Sequence, residues 1–185
     1  MMRIITGKAK GIKLKTLEGD HTRPTAERVK EAIFSVLQFD IEGRNVLDLF
    51  SGSGQLALEA LSRGAEQAVM LDNANKAIKT IKTNAENTKL NTQCRIYNIN
   101  ALDFIKRNSD MKFDIIFLDP PYNSNYYDPV LDALSCSSML KPTTVIVCES
   151  DREITNTKIT EKYNVIKKAR YGRVMVTFLS PIVAE

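Results

Sequence analysis

The chain has 185 residues, 43% hydrophobic and 26% charged, with 26 Lys and Arg against 22 Asp and Glu and a formal net charge of +4. That length fits one domain with a sizeable core, with or without a small appendage; no apolar run reaches the length of a membrane span and no apolar leader opens the chain, so a soluble protein is expected. The single histidine, His21, argues against serine–histidine triads, and with widely spaced Cys94, Cys136 and Cys148 it argues against metal sites and favours reduced thiols in a cytoplasm.

Positive charge gathers in the amino-terminal arm, residues 1–24, where Arg3, Lys8, Lys10, Lys13, Lys15 and Arg23 stand against Glu18 and Asp20. Short apolar runs on either side of a Gly7-to-Gly11 turn region predict a small β-hairpin. Strand alternation puts Lys13 and Lys15 on one face, with Ile12 and Leu14 on the other. Such a basic face grips phosphates or is simply a solvated surface. Thr22-Arg23-Pro24-Thr25 then leads into a helix with Thr25 as its cap and Val29, Ala32, Ile33, Val36 and Leu37 as its core stripe. Arg23, just ahead of that helix, is placed to reach an anion.

Asn45 to Phe50 predicts a strand, Ser51-Gly52-Ser53-Gly54 a tight turn, and Gln55 to Arg63 a helix that Gly64 ends. Strand, glycine turn and helix make a nucleotide-cofactor site, because glycine lets backbone approach a ligand closely. Gly52 to Ala57 formally fits the dinucleotide spacing G-x-G-x-x-A, but Asp48 at the strand end would repel a pyrophosphate. A carboxylate there suits a cationic ligand such as S-adenosylmethionine, or else it caps the loop. Ala68 to Asp72 is a second strand, and an acid at its end can hold both hydroxyls of a ribose. A helix from Asn75 to Leu90 follows, then a strand from Cys94 to Ile99. Asn100 opens a short helix beside the expected position of the cofactor's base, while Asp103 reads as capping or solvated.

Phe113 to Leu118 is a buried strand that stops on Asp119-Pro120-Pro121-Tyr122. Neither proline can donate to a sheet ladder or a helix, and Pro121 holds Pro120 out of the helical region. This stiff corner presents a carboxylate, backbone carbonyls and one ring. It suits a planar amino-bearing ligand such as a nucleobase, or it is a turn with a surface tyrosine. A polar, aromatic loop from Asn123 to Pro129 could cover a base. A helix begins near Val130, a fifth strand spans Thr144 to Cys148, and Tyr163–Tyr171 with Arg173–Leu179 flank Gly172 as a terminal hairpin. Lys167, Lys168, Arg170 and Arg173 form a second basic cluster. The predicted fold is α/β: seven strands, mostly parallel, with a carboxyl-terminal antiparallel hairpin and a small amino-terminal β-hairpin, divided as 1–24 and 25–185.

Val46-Leu47-Asp48-Leu49-Phe50-Ser51-Gly52-Ser53-Gly54, followed by Leu58-Glu59-Ala60-Leu61-Ser62-Arg63-Gly64-Ala65, resembles the first motif of the RsmD family, bacterial guanine-N2 methyltransferases of small-subunit (16S) ribosomal RNA. Thr22-Arg23-Pro24-Thr25, Asp119-Pro120-Pro121-Tyr122 and Tyr171-Gly172 are similar to that family in the same order, so the resemblance covers essentially the whole chain. Ala57 stands where the family commonly has glycine, and Asn100 where aspartate is common. The resemblance implies a Rossmann-like class I S-adenosylmethionine-dependent methyltransferase. It implies a cofactor held by Asp48, Phe50, Gly52, Gly54, Asp72, Asn100, Ala101 and Asp119, catalysis by Asp119, Pro120 and Tyr122, and no metal. Lys8, Lys10, Lys13, Arg23 and Tyr122 would meet the RNA, free or in a partly assembled 30S particle, with the protein cytoplasmic, away from membranes and monomeric. An amino-methyltransferase of DNA, acting on adenine N6 or cytosine N4, shares the acidic corner. A non-enzymatic RNA-binding module would leave the glycine loop unexplained, and a nicotinamide-dependent dehydrogenase fits neither Asp48 nor the corner.

Overall fold

A computed structural model describes residues 2–17, 24–108, 110–121, 125–154 and 157–182. Arg23 and Tyr122, both expected at the site, lie outside the described residues, as do Thr22 and His21.

In chain order the elements are α1 (Pro24–Leu37), β1 (Asn45–Asp48), α2 (Gln55–Ser62), β2 (Gln67–Asp72), α3 (Asn75–Asn87), β3 (Cys94–Asn98), α4 (Ala101–Arg107), β4 (Phe113–Leu118), α5 (Tyr127–Ser135), β5 (Leu140–Ser150), α6 (Thr157–Thr160), β6 (Tyr163–Tyr171) and β7 (Val174–Pro181). The strands form one sheet in the order β3-β2-β1-β4-β5-β7-β6. The first five are mutually parallel, and β7 runs antiparallel to both β5 and β6. This is the seven-stranded, mostly parallel Rossmann-like sheet expected from the pattern, with its terminal hairpin folded in so that β7 lies inside and β6 forms the edge.

Alternation along the strands divides the core into two layers. Val46, Ala68, Met70, Ile115 and Phe117 face the side covered by the arm, α1, α2 and α3. Leu47, Val69, Leu71, Ile116 and Leu118 face the side covered by α4, α5 and α6. Burial on both faces is what makes these strands read as continuous apolar runs. Edge strand β6 differs: Val165, Ile166, Lys167, Lys168 and Arg170 are exposed, and its pairing with β7 shifts between Val165 and Lys167.

Several boundaries differ from expectation. Helix α1 starts at Pro24, where a missing amide hydrogen costs nothing, so Thr25 lies inside the helix and is not its cap. Helix α3 ends at Asn87, and Leu90 is buried beyond a turn in which Lys89 adopts φ 59°. Helix α5 begins at Tyr127, three residues earlier than Val130, because Tyr127 is itself a core residue. Strand β5 extends well past Thr144–Cys148 at both ends, and the short helix α6 carried no sequence signal.

The arm makes a hairpin-like turn with a single antiparallel bridge, Arg3 to Lys13, in place of two full strands. Its backbone is tied by Ile4 N to Ile12 O at 3.0 Å and Leu14 N to Met2 O at 2.9 Å. Ile4, Ala9 and Leu14 point inward and join the core, while Lys13 and Lys15 are exposed, as alternation required. Gly7 is needed here: at φ 87°, a Cβ would lie 1.7 Å from the carbonyl oxygen of Ser62.

Candidate active site

The carboxyl ends of β1 and β4 lie side by side, with Asp48 opposite Phe117 and, on its other flank, opposite Met70 of β2. The chain departs β1 toward α2 on one face and β4 toward α5 on the other. The strand order therefore reverses here, and the crevice beyond these ends is where open α/β sheets receive ligands. The turn after β1 stays bound to both neighbours, with Leu49 N donating to Phe117 O at 3.1 Å and Ser51 N to Leu71 O at 2.9 Å. The glycine turn and the acidic corner thus share one rim of the sheet.

Gly52 and Gly54 both have left-handed backbone, at φ 54° and 80°, and do different jobs. A Cβ on Gly54 would touch Ile81, Leu58 and Met70 at 3.4 Å, so this glycine closes the turn against α2 and the core. Around Gly52 nothing lies within 4 Å of such a Cβ, which leaves bare backbone facing open space. The Gly52 amide donates to Asp72 Oδ2 at 3.0 Å, and Asp72 Oδ1 accepts from Ala74 N at 2.9 Å. Asp72 thereby braces the turn while staying partly exposed at the end of β2.

Asp48 is 1% exposed, and its Oδ1 has no hydrogen-bond partner among the described residues. Burial pushes its carboxyl from 3.8 up to about 7, against backbone hydrogen bonds from Phe50 and Ala57 that hold it down, with the Asp72 charge adding a smaller upward push. One side of the carboxylate is therefore tied to the turn, and one oxygen is left over. A dry, half-satisfied carboxylate favours a cationic group and opposes a pyrophosphate. The residues present thus fit the ammonium-bearing end of S-adenosylmethionine.

That titration gives two opposite signs. In the ligand-free protein the raised carboxyl contributes stability fully present below 3.8 and lost as pH rises through about 7. Binding of a cationic ligand needs the ionised form, so affinity for S-adenosylmethionine should fall about eightfold between about pH 7.5 and about pH 6. Calorimetric titrations at both values check this, and Asp48→Asn should flatten the profile.

At the corner, Asp119 is partly exposed, Pro120 is buried and Pro121 is exposed. Beyond it, the Tyr126 ring lies 5.3 Å from the Phe50 ring, so the far end of the polar loop touches the start of the glycine turn. Tyr127 anchors that loop by donating from its hydroxyl to the carbonyl of Glu149. Asn100 caps α4, its Oδ1 accepting from Leu102 N at 2.9 Å, which engages one acceptor position of the amide expected to meet a base. Ala101 beside it is 3% exposed and offers backbone more than side chain.

Lys8, Lys10 and Lys13 are exposed on the arm. In the terminal cluster Lys168 pairs with Glu153 at 2.5 Å. Sequence reasoning missed a buried charge cluster beneath the arm. Glu59, fully buried on α2, accepts from Ile5 N at 2.7 Å, Thr6 N at 3.0 Å and Arg63 Nε at 2.8 Å, with Lys30 Nζ at 3.4 Å. Lys30 is 3% exposed and also donates to Arg3 O at 2.5 Å; burial pushes its pKa down against the pull of Glu59. It also missed Asn84, a polar residue on the buried face of α3. The signal was present: Asn84 falls three residues after Ile81 and next to Ala85, inside the apolar stripe. No group of three or more metal-ligating side chains occurs among the described residues. No helix among them is long and apolar enough to cross a membrane.

The family described as conserved hypothetical protein 95 matches residues 2–180. Ribosomal RNA small subunit methyltransferase D of Haemophilus influenzae is 36% identical over 154 residues, covering 82% of this chain and 80% of that protein. YlbH of Bacillus subtilis is 37% identical over 173 residues, covering 92% and 94%. Among solved structures, yhhF from Escherichia coli superposes with a TM-score of 0.86 at 28% identity over 99% of both chains.

Proposed function

The chain belongs to the RsmD family, and from that membership we propose that it transfers the methyl group of S-adenosylmethionine to the exocyclic N2 of a guanine in small-subunit ribosomal RNA. Relatives named as ribosomal RNA small subunit methyltransferases support RNA methylation. The observation that carries the reading is the shared rim: an open glycine turn with a half-satisfied buried carboxylate beside a strand that ends on Asp119-Pro120.

Asp48 and the bare backbone at Gly52 would hold the amino-acid end of the cofactor, Asp72 its ribose, and Phe50, Asn100 and Ala101 its base. The cofactor supplies an activated methyl group. The guanine amine is a poor nucleophile because its lone pair is delocalised into the ring. The Asp119 carboxylate and the Pro120 carbonyl would accept its hydrogens, localising that pair as positive charge develops on nitrogen. One of those hydrogens would then leave as a proton to Asp119 or to water, giving the neutral N2-methyl product. Tyr122 would stack on a base turned out of its helix or lying in a single strand. Holding the nitrogen in line with the methyl carbon is a positioning task. Lys8, Lys10, Lys13 and Arg23 would take backbone phosphates, supplying affinity more than sequence choice. The substrate would be this RNA, free or in a partly assembled 30S particle, met in the cytoplasm by a monomer.

Two measurements test the reading. Calorimetry should show binding of S-adenosylmethionine and none of NAD; the reverse would favour a dehydrogenase. Ribosomal RNA from cells with and without the protein should differ by one N2-methylated guanine in the small subunit. An unchanged RNA with new methylation on DNA would replace the substrate class.

A further inference from the structure

Asn84 lies on α3, 0% exposed, and spends its side-chain amide on two segments far apart in sequence. Its Nδ2 donates to the Ser53 carbonyl at 2.8 Å, in the middle of the glycine turn. The same nitrogen donates to the Lys15 carbonyl at 2.9 Å, and Oδ1 accepts from Lys15 N at 2.8 Å. Both amide hydrogens are used, one on the turn and one on the arm. A second contact joins the same two segments, since Ser53 Oγ donates to Met2 Sδ at 3.2 Å. On its other side the turn is held at Gly52 N by Asp72, a residue of the cofactor crevice. The glycine turn is therefore clamped between one group that faces the crevice and one that carries the basic arm.

We propose that Asn84 is a positioning residue that couples the arm to the glycine turn, so that a nucleoside cofactor in the crevice orders the arm and its exposed lysines for a polyanionic partner. This rests on the cofactor reading above. A ligand that fixes the Gly52–Ser53 peptides stiffens the Ser53 carbonyl, and Asn84 passes that restraint to both backbone groups of Lys15. By linkage the effect is reciprocal: RNA on the arm tightens cofactor binding by the same factor. The Ser53 bond is buried and the two Lys15 bonds are partly so; breaking either donated bond strands the buried Asn84 amide away from water, which makes the transmission stiff.

The test reads amide hydrogen exchange in the full chain, with S-adenosylhomocysteine as probe and its binding measured by calorimetry. Bound probe should slow exchange of the Lys15 amide by about fivefold or more and tighten RNA binding by a similar factor. If the probe binds and the Lys15 amide is unaffected, the coupling is overturned while the cofactor reading stands. If the probe does not bind, the cofactor reading fails, and the coupling with it. Asn84→Asp keeps the acceptor for Lys15 N but places an oxygen where both donated bonds were. Probe affinity should drop about tenfold and the exchange response should vanish. A folded variant that keeps the response would remove Asn84 from the link. If the variant does not fold, the wild-type exchange result alone decides.

Discussion

Asp119→Ala should lower the methyl-transfer rate at saturating substrate by about a hundred- to a thousandfold. The reasoning is differential: the amine carries little charge in the ground state and becomes positive as the methyl transfers, so a fixed carboxylate helps the transition state most. Cofactor affinity should change by less than about tenfold, because in the proposed reading Asp48, Gly52 and Asp72 would supply most of the contacts. Asp119→Asn keeps a carbonyl acceptor and loses the charge, so its rate should fall between those of the wild type and the alanine variant. Single-turnover transfer to RNA, with calorimetry beside it, separates the steps. Full turnover by Asp119→Ala with intact binding would leave the corner without its proposed part.

Glu59→Ala should cost about 3–5 kcal/mol of unfolding free energy in a denaturant titration, the usual penalty for removing one member of a buried charge pair. That is a large share of the roughly 5–15 kcal/mol typical of a domain. The loss has two parts. Lys30 would be left 3% exposed without its carboxylate, and the Ile5 and Thr6 amides would lose their acceptor. Arg63 is better placed to recover, since its guanidinium also sits 4.8 Å from the centre of the Phe34 ring. Swapping Lys30 and Glu59 together for apolar residues removes the stranded charge but not the stranded amides, so it should recover only part of the stability. A loss for Glu59→Ala below about 1 kcal/mol would mean that water reaches this cluster.

The centre of the sheet was legible because β1, β2 and β4 are buried on both faces and separated by helices of clear period; Phe113–Leu118 was read to the residue. Element ends were harder. Tyr127 begins α5 because tertiary burial claims it, and nothing in Tyr126-Tyr127-Asp128-Pro129 announces which ring turns inward. The backbone of the site was readable for a chemical reason: glycines after one strand permit the positive φ of a tight turn, and prolines after another fix a stiff corner. What stayed hidden were polar residues with inward partners. Glu59 reads as an ordinary helix glutamate, and only the arm folding over α2 makes it a buried acceptor for residues more than fifty positions away. Asn84 is hidden in the same way, by contacts that span 69 and 31 positions.

Strand β6 has one further consequence. A rim strand with open backbone groups is a template on which a second chain can stack, the first step toward fibres. Here Lys167, Lys168 and Arg170 line that rim, and the slip in pairing at Ile166 breaks the straight ladder a newcomer would have to match. These cations therefore act as gatekeepers of colloidal stability, keeping neighbouring copies apart in a crowded cell.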